Sequence, residues 1–232
     1  MKSFDIARGM TTTLRNGALC AALALTSCGG PRLHFAPPPP VGCSPPPSVV
    51  LPLERIGQQT DMWCWAAAGE MISRNLGHPV TQCEMAKKQF NAECACPTCT
   101  VSNPSGMRAT LPPCDQGAFP NLEDFDFDVY GVRQPDTGLL SLAQIKDEIA
   151  CRHAPIAFSR LKSDTKNTAD PDGHMMLIVG YETDDSLIIM DPAPVCPSVA
   201  DSVTEDYGYY LNGNLPGWEH WEDRYAVKWV GR

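Results

Sequence analysis

Residues 63–76, WCWAAAGEMISRNL, form the stretch that decides the fold, because they predict a helix with a cysteine at its start. Three consecutive alanines are strong helix formers, and Gly77 is a typical helix stop. Asp61 stands where a capping residue is often found. Backbone N–H groups at a helix start stabilise a thiolate, the nucleophile that acyl chemistry requires. Cys64 is therefore a candidate nucleophile, although a buried or disulfide-bonded cysteine between Trp63 and Trp65 is an open alternative.

A candidate base and a carboxylate lie at the start and the finish of a predicted β-hairpin, both at its open end. The apolar segments 174–181 (HMMLIVGY) and 187–190 (LIIM) flank a turn, as in a hairpin. His174 begins the first segment and Asp191 follows the second, so both belong to the open end of the hairpin. A carboxylate there can hold an imidazole in one tautomer and stabilise its protonated form. Cys64, His174 and Asp191 thus predict a nucleophile, a base and an orienting carboxylate.

The remaining elements predict an α+β fold. Capping boxes at 81–84 and 141–144 predict helices that continue to about residues 90 and 151. Residues 121–129 are predicted as a short helix, and residues 156–160 and 225–230 as strands. Helices that precede antiparallel strands are typical of the α+β class. The other histidines are expected at surface or packing positions: His34, His78, His153 and His220.

The sequence resembles the papain-like cysteine peptidases. The segments GQQTDMWCWAAAGEMI, TQCEMA, GHMMLIVGY and MDP are similar to a bacterial branch that contains secreted effector proteases and peptidases related to bacteriocin-leader processing. The likeness covers roughly residues 55–195. It implies a papain-like fold, with a helical N-terminal part that carries the cysteine and an antiparallel sheet that carries the histidine and the aspartate. It implies no cofactor and no metal.

The resemblance also assigns an oxyanion-stabilising glutamine. The family has this residue six positions before the nucleophile, which is Gln58 here; the neighbouring Gln59 has the wrong spacing. With the backbone N–H of Cys64, such a donor stabilises the tetrahedral intermediate by about 3–4 kcal/mol. The chain departs from the family at the polar segment 160–173, where relatives often have a short glycine-rich approach to the histidine.

These features imply a cysteine-dependent hydrolase, a peptidase that cleaves peptide bonds of a peptide or protein substrate through a thioacyl-enzyme intermediate. A deamidase or transglutaminase would use the same three residues, and a binding protein with an inactive site is the third alternative. The sequence does not separate these activities or indicate an oligomeric state.

The composition of the chain argues against several other classes of protein. The net charge is −9, from 18 Lys and Arg against 27 Asp and Glu, which argues against a nucleic-acid partner. With 43% hydrophobic residues the chain can build a core. The sequence contains no run of 18 apolar residues, so it predicts no membrane-spanning helix.

The N-terminus predicts export and lipidation. Basic residues precede a short apolar run at 17–25, as in a secretory signal. The following LTSC, which ends at Cys28, resembles the bacterial lipobox and implies cleavage before Cys28 and acylation of its thiol. An ordinary signal peptide is the alternative. Gly29, rather than aspartate, after the cysteine favours sorting to the outer membrane, facing the periplasm or the exterior.

The predicted domain order follows from this signal. Residues 1–27 are a lipoprotein signal peptide, residues 28–48 a lipidated Pro-rich linker, and residues 49–232 the peptidase domain. Proline-rich segments are extended and semi-rigid, so the linker is expected to act as a spacer. The protein is thus expected in the bacterial cell envelope, with the lipid as its only membrane contact.

Eleven cysteines indicate an oxidising compartment. Apart from Cys64, Cys20 in the signal and the lipidated Cys28, they are disulfide candidates: Cys43, Cys83, Cys94, Cys96, Cys99, Cys114, Cys151 and Cys196. Cys94, Cys96 and Cys99 also have spacing that zinc ligands can adopt, but export favours disulfides. Local bridges are expected between residues 83 and 114, and the pairing is otherwise open.

Overall fold

A seven-stranded antiparallel sheet organises the protein. The computed structural model describes residues 38, 40–94, 96, 113–133, 139–164, 172–193, 199–212 and 216–231. The strands are β1 (Val49–Val50), β2 (Phe127–Arg133), β3 (Ile156–Lys162), β4 (Gly173–Tyr181), β5 (Leu187–Asp191), β6 (Asp201–Glu205) and β7 (Trp218–Trp229). Their order is β2-β7-β3-β4-β5-β6, and β1 pairs with β4. The helices are α1 (Cys64–Asn75), α2 (Gln82–Phe90), α3 (Leu142–Cys151) and α4 (Tyr207–Asn212). The predicted α+β class is confirmed.

Both faces of the sheet are covered, which explains why β4 is an almost continuous apolar run. Leu177 packs in a core cluster with Met71 of α1, whereas the next residue, Ile178, packs in a second cluster with Ile149 of α3 and Tyr210 of α4. Successive side chains of a strand point to opposite faces, so the sheet lies between the two clusters. None of the helices in the described ranges is long and apolar enough to span a bilayer.

Helix α1 begins at Cys64, one residue later than predicted. Its N-cap is Trp63 and no side chain caps it, so the predicted capping role of Asp61 is wrong. The Asp61 side chain is exposed, and it is the backbone carbonyl of this residue that accepts a hydrogen bond, from Gln58. The predicted helix stop is correct, since Gly77 has a positive φ of 78° and donates its N–H to the carbonyl of Arg74.

Both predicted capping boxes are present and begin helices of the expected length. Thr81 and Glu84 bond reciprocally at the start of α2, and Ser141 and Gln144 do so at the start of α3. Such pairs satisfy backbone donors that a helix start leaves without partners.

The predicted helix at 121–129 is wrong beyond its first turn. Only Leu122–Phe125 is helical, as a single 3-10 turn. Asp126 then adopts a left-handed conformation with φ of 64°, and the chain continues as β2, paired with β7. Pairing with a distant strand outweighs the weak local preference of this segment for helix.

Strand β7 is longer than the predicted 225–230 segment. Its first half is rich in charged residues, which concealed a strand that is buried in the fold. Asp223 is fully buried, accepts a 2.6 Å hydrogen bond from the Tyr210 hydroxyl, and has an oxygen 3.1 Å from Nε2 of His220. Hydrogen bonds from the Tyr210 hydroxyl to Asp223 and between His220 and the Tyr210 carbonyl offset part of the cost of burying these polar residues.

Three disulfides join described cysteines: Cys43–Cys151, Cys83–Cys96 and Cys94–Cys114. The last two confirm the expectation of local bridges, and they rule out zinc ligation by Cys94 and Cys96. Cys99 and Cys196 lie outside the described residues, as do Cys28 and the whole predicted signal peptide.

The first bridge changes the expected extent of the folded unit. Cys43 is attached to the end of α3 by its disulfide, and the Tyr181 hydroxyl donates a 2.9 Å hydrogen bond to the carbonyl of Pro46. Contacts with the folded unit therefore include residue 43, inside the predicted linker.

Reduction of the disulfides is expected to destabilise the protein. The Cys94–Cys114 disulfide adjoins the start of α1, since the indole N–H of Trp63, its N-cap, donates to the Cys114 carbonyl at 2.7 Å. Loss of a native disulfide typically costs about 2–5 kcal/mol. Thermal unfolding with and without dithiothreitol should give a lower Tm under reduction, and activity should rise at low reductant, as Cys64 is kept reduced, then fall. An unchanged Tm, with all six cysteines titrating as free thiols in the denatured, unreduced protein, would contradict this pairing.

Candidate active site

Cys64 is the first residue of α1 and is half-buried. Trp63 and Trp65 on either side are fully buried, and their indole N–H groups donate to the carbonyls of Cys114 and Gln116 at 2.7 Å and 3.0 Å. Among the described cysteines, Cys64 alone has a free thiol. The fold thus holds an unpaired thiol in a fixed place at a helix start, where unsatisfied backbone N–H groups favour a negative charge.

His174 and Asp191 meet at the open end of the β4–β5 hairpin. Nε2 of His174 lies 2.6 Å from Oδ1 of Asp191, within hydrogen-bond distance. The Cys64 thiol lies near the same imidazole, and its interaction with the ring contributes to a raised pKa of His174. Since Nε2 faces the carboxylate, Nδ1 is the nitrogen left for the thiol. The structure therefore brings the three predicted residues together in the predicted order.

The carboxylate of Asp191 is itself held in place. Its Oδ1 also accepts a 2.8 Å hydrogen bond from the backbone N–H of Ala193. Burial favours the neutral acid, but the hydrogen bond and charge of His174, the Ala193 N–H and the charge of Arg160 together lower the pKa of Asp191 below its ordinary value. Asp191 is thus a carboxylate that faces a protonated imidazole.

The electrostatics of His174 follow from the same contacts. Burial disfavours the charged imidazole, yet the hydrogen bonds and negative charges of Asp191 and Cys64 outweigh burial and raise the pKa of His174 to about 10. A protonated imidazole beside a thiol can favour its deprotonation, so His174 is placed to activate Cys64.

Gln58 lies on the segment that precedes α1 and is buried, at 6% exposure. Its Nε2 donates to the Asp61 carbonyl at 3.1 Å, while Oε1 has no hydrogen-bond partner among the described residues. Its backbone N–H donates to the carbonyl of Pro192, the residue after Asp191, at 3.0 Å. This bond links the Gln58 segment to the end of β5 that carries Asp191. The backbone N–H of Gln59 donates instead to the side chain of Gln82.

The described histidines other than His174 lie at packing or surface positions, as predicted. His78 stacks on Trp229 with ring centroids 3.7 Å apart. His220 is buried between Asp223 and the carbonyl of Tyr210, and His153 is exposed in the turn after α3. His34 lies outside the described residues.

Sequence reasoning missed two buried polar residues near the site. Arg160 pairs with His174 across β3 and β4, is 1% exposed, and has its guanidinium 3.8 Å from the ring centroid of Tyr209. Gln82, at the start of α2, contacts the Gln58 segment. A charged residue in the interior of the strand segment IAFSRL was a signal for Arg160; Gln82 had none beyond its place in the capping box.

The pH dependence of activity should report the raised pKa of His174. The ordinary pKa of His174 is 6.5, so the protonated imidazole stabilises the folded protein fully below that pH, and this stabilisation is lost as pH rises through about 10. The protonated imidazole that serves catalysis is lost over the same range. We expect the alkaline limb of kcat/KM near pH 10, and a shift of that limb to lower pH in Asp191→Asn, which removes one of the charges that raise it. An alkaline limb near pH 6.5 in the wild type would show that the imidazolium is not stabilised by its partners.

The sequence model of the Peptidase_C39 like family matches residues 50–210. No curated protein sequence matches the chain. Among solved structures, the chain is similar to xylellain, a cysteine protease from Xylella fastidiosa, at 13% identity and a TM-score of 0.48, over 85% of this chain and 92% of that one. Because the family match spans more than half of the sequence and includes Cys64, His174 and Asp191, the chain belongs to the Peptidase_C39 like family and is a papain-like cysteine peptidase.

Proposed function

We propose that the protein hydrolyses peptide bonds through a thioacyl-enzyme intermediate on Cys64, as a lipid-anchored peptidase of the bacterial cell envelope. The observation that carries the catalytic part is the 2.6 Å approach of the His174 imidazole to the Asp191 carboxylate, beside the free thiol of Cys64, which interacts with the same ring. This constellation supplies a nucleophile, an acid–base group and the residue that orients it.

In the acylation step, the Cys64 thiolate forms a bond to the carbonyl carbon of the substrate, and the π electrons move to the oxygen. The backbone N–H of Cys64 and Nε2 of Gln58 stabilise that oxyanion. Nε2 carries two hydrogens, of which the Asp61 carbonyl accepts one, so the other is left for the substrate. Protonated His174 then gives its proton to the leaving amine, the C–N bond breaks, and a thioester remains.

In the deacylation step, neutral His174 removes a proton from water, and the hydroxide attacks the thioester carbonyl. The same donors stabilise the second tetrahedral intermediate. It collapses with release of the carboxylic acid product and the Cys64 thiolate, which faces the reprotonated His174. Asp191 keeps the imidazole in one tautomer throughout, because its carboxylate accepts from Nε2.

Mass spectrometry of a protein mixture incubated with the enzyme tests the reaction type. A peptidase produces fragments with new termini. A deamidase converts side-chain amides to carboxylates without chain cleavage, and a transglutaminase produces cross-linked peptides. New termini that depend on Cys64 support the proposal; amide conversion or cross-links without cleavage would replace it.

The location of the enzyme is the second part of the proposal. The lipobox-like LTSC before residue 29, the Pro-rich segment after it and the disulfides together support an exported lipoprotein. In this account residues 1–27 are removed, Cys28 is acylated, and the remaining chain carries a net charge of −11, from 15 cationic and 26 anionic residues. The acyl chains, not charge, then hold the protein at the membrane.

Replacement of Cys28 by alanine is expected to release the protein from the membrane. Wild type should incorporate labelled palmitate and partition into the detergent phase, and Cys28→Ala should do neither. Cys20→Ala, a change of cysteine eight residues earlier within the apolar run, is the matched control and should behave as wild type. Equal partitioning of wild type and Cys28→Ala would rule out the anchor.

A further inference from the structure

Gln82 is a fully buried glutamine whose side-chain amide is bonded to main-chain groups on both sides of Gln58. Its Nε2 donates to the carbonyl of Gly57 at 3.1 Å, and its Oε1 accepts from the backbone N–H of Gln59 at 2.8 Å. A primary amide offers a donor and an acceptor side by side, so one side chain fixes two successive peptide groups.

These two bonds determine the backbone of Gln58. The peptide group before Gln58 is held at its carbonyl by Gln82 and at its N–H by the Pro192 carbonyl, at 3.0 Å. The peptide group after Gln58 is held at its N–H by Gln82. Because both peptide planes are fixed, the direction in which the Gln58 side chain leaves the backbone is fixed as well.

The amide of Gln58 has few other constraints. Its Nε2 donates to the Asp61 carbonyl, and within the described part of the chain its buried Oε1 has no hydrogen-bond partner. A donor stabilises an oxyanion only when it is held in advance at the position of the developing charge. For Gln58 that preorganisation must come mainly from the backbone that Gln82 holds.

The backbone of Gln82 is hydrogen-bonded to α1, the helix that begins with Cys64. The backbone N–H of Gln82 lies 3.3 Å from Oε2 of Glu70, a residue of α1 that is 4% exposed. The other oxygen of Glu70 accepts from Arg74 at 2.7 Å. Helix α1 thus carries Cys64 at its start and, nearly two turns later, the carboxylate that fixes the start of α2.

We propose that Gln82 is a positioning residue of the oxyanion site, which acts on catalysis through Gln58. This inference rests on the proposed function, since it requires that Gln58 stabilises the oxyanion formed at Cys64. Gln82 does not contact the substrate; it fixes the peptide groups that aim the Gln58 amide.

The first test compares steps that form an oxyanion with one that does not. Gln82→Met removes both hydrogen bonds at nearly constant volume. We expect kcat to fall about ten- to a hundredfold, because a misplacement of about 1 Å has effects of that size. The affinity for a peptide aldehyde, which forms a tetrahedral adduct, should fall in parallel. Alkylation of Cys64 by iodoacetamide forms no oxyanion, and its rate should stay within about twofold.

The second test is a double-mutant cycle with Gln58→Ala. Gln58→Ala alone should lower kcat about a hundred- to a thousandfold. If Gln82 acts through Gln58, adding Gln82→Met to Gln58→Ala should change kcat by less than about twofold. Additive losses, an unchanged kcat in Gln82→Met, or an equal loss of the alkylation rate would overturn the inference.

Two further variants separate positioning from general destabilisation. Glu84→Ala breaks the capping box of α2 without touching residues 57–59, so it should lower the Tm but leave kcat unchanged. If Gln82→Met does not fold, the isosteric Gln82→Glu decides the matter, because its charged form keeps the acceptor for Gln59 and loses the donor to Gly57. A kcat for Gln82→Glu equal to that of wild type would then overturn the inference. If Cys64→Ala is active, or Gln58→Ala has wild-type kcat, the proposed function fails instead.

Discussion

Replacement of Cys64 by alanine is expected to reduce peptide hydrolysis to the background level, a loss of roughly a millionfold in kcat. The thiol is the atom that forms the bond to the substrate, and no other described cysteine is free. Fold and stability should change little, because Cys64 is only half-buried and its neighbours Trp63 and Trp65 keep their hydrogen bonds. Activity assays should show the loss of hydrolysis, iodoacetamide labelling should be lost with the thiol, and thermal unfolding should give a Tm close to that of wild type.

Met62→Ala is the matched control for that variant. Met62 lies two residues before the nucleophile and is 41% exposed, so its truncation alters the same segment without removing the thiol. It should keep activity and labelling near the wild-type values. Full labelling of Cys64→Ala, or hydrolysis by it at the wild-type rate, would show that another residue is the nucleophile.

Replacement of His174 by alanine is expected to cost nearly as much as the loss of Cys64. The imidazole stabilises the thiolate and supplies the proton to the leaving amine, and residues that act as a unit have non-additive effects. The double variant with Cys64→Ala should therefore be no worse than either single variant. Asp191→Ala should cost less, about a hundredfold, because packing still holds part of the ring position.

His78→Ala is the control for this pair. His78 stacks on Trp229, and its replacement should leave kcat unchanged. Steady-state kinetics of all variants, with folding checked by circular dichroism, give the comparison. Wild-type kcat in His174→Ala, with loss of activity in His78→Ala, would mean that the acid–base group has been assigned to the wrong histidine.

Local sequence signals predicted the elements that depend on local contacts. The alanines and Gly77 define α1, the two capping boxes define the starts of α2 and α3, and the apolar runs define the β4–β5 hairpin. Each of these signals lies within a few residues of the structure it specifies, so no knowledge of the tertiary fold is needed to interpret it.

Elements that depend on distant partners were missed. The first half of β7 is polar; it pairs with β3, and its Asp223 is buried against Tyr210 and His220. The Cys43–Cys151 bridge joins residues 108 positions apart, a separation for which a sequence offers no pairing rule. The helical turn ends at Asp126, which has a left-handed conformation, and β2 begins at the next residue, where a helix was predicted.

The same distinction applies to the site. Cys64, His174 and Asp191 were proposed from a helix start and a hairpin end; the structure places His174 and Asp191 in contact, and Cys64 interacts with the same imidazole. Gln82 and Arg160 act through side chains that meet the site only after the helices and the sheet have packed. Residues that support a reacting group from another element carry no sequence pattern of their own.

The most direct test of the account is to relate the modification of Cys64 to the loss of activity. The enzyme is treated with increasing amounts of a peptidyl acyloxymethyl ketone, built on the sequence of a peptide that it cleaves. Residual hydrolysis and the modified fraction of Cys64, measured by peptide mapping, are determined on the same samples. The account predicts a linear loss of activity that reaches zero at one adduct per chain, located on Cys64. Complete inactivation with Cys64 unmodified, or full activity with Cys64 fully modified, would contradict it.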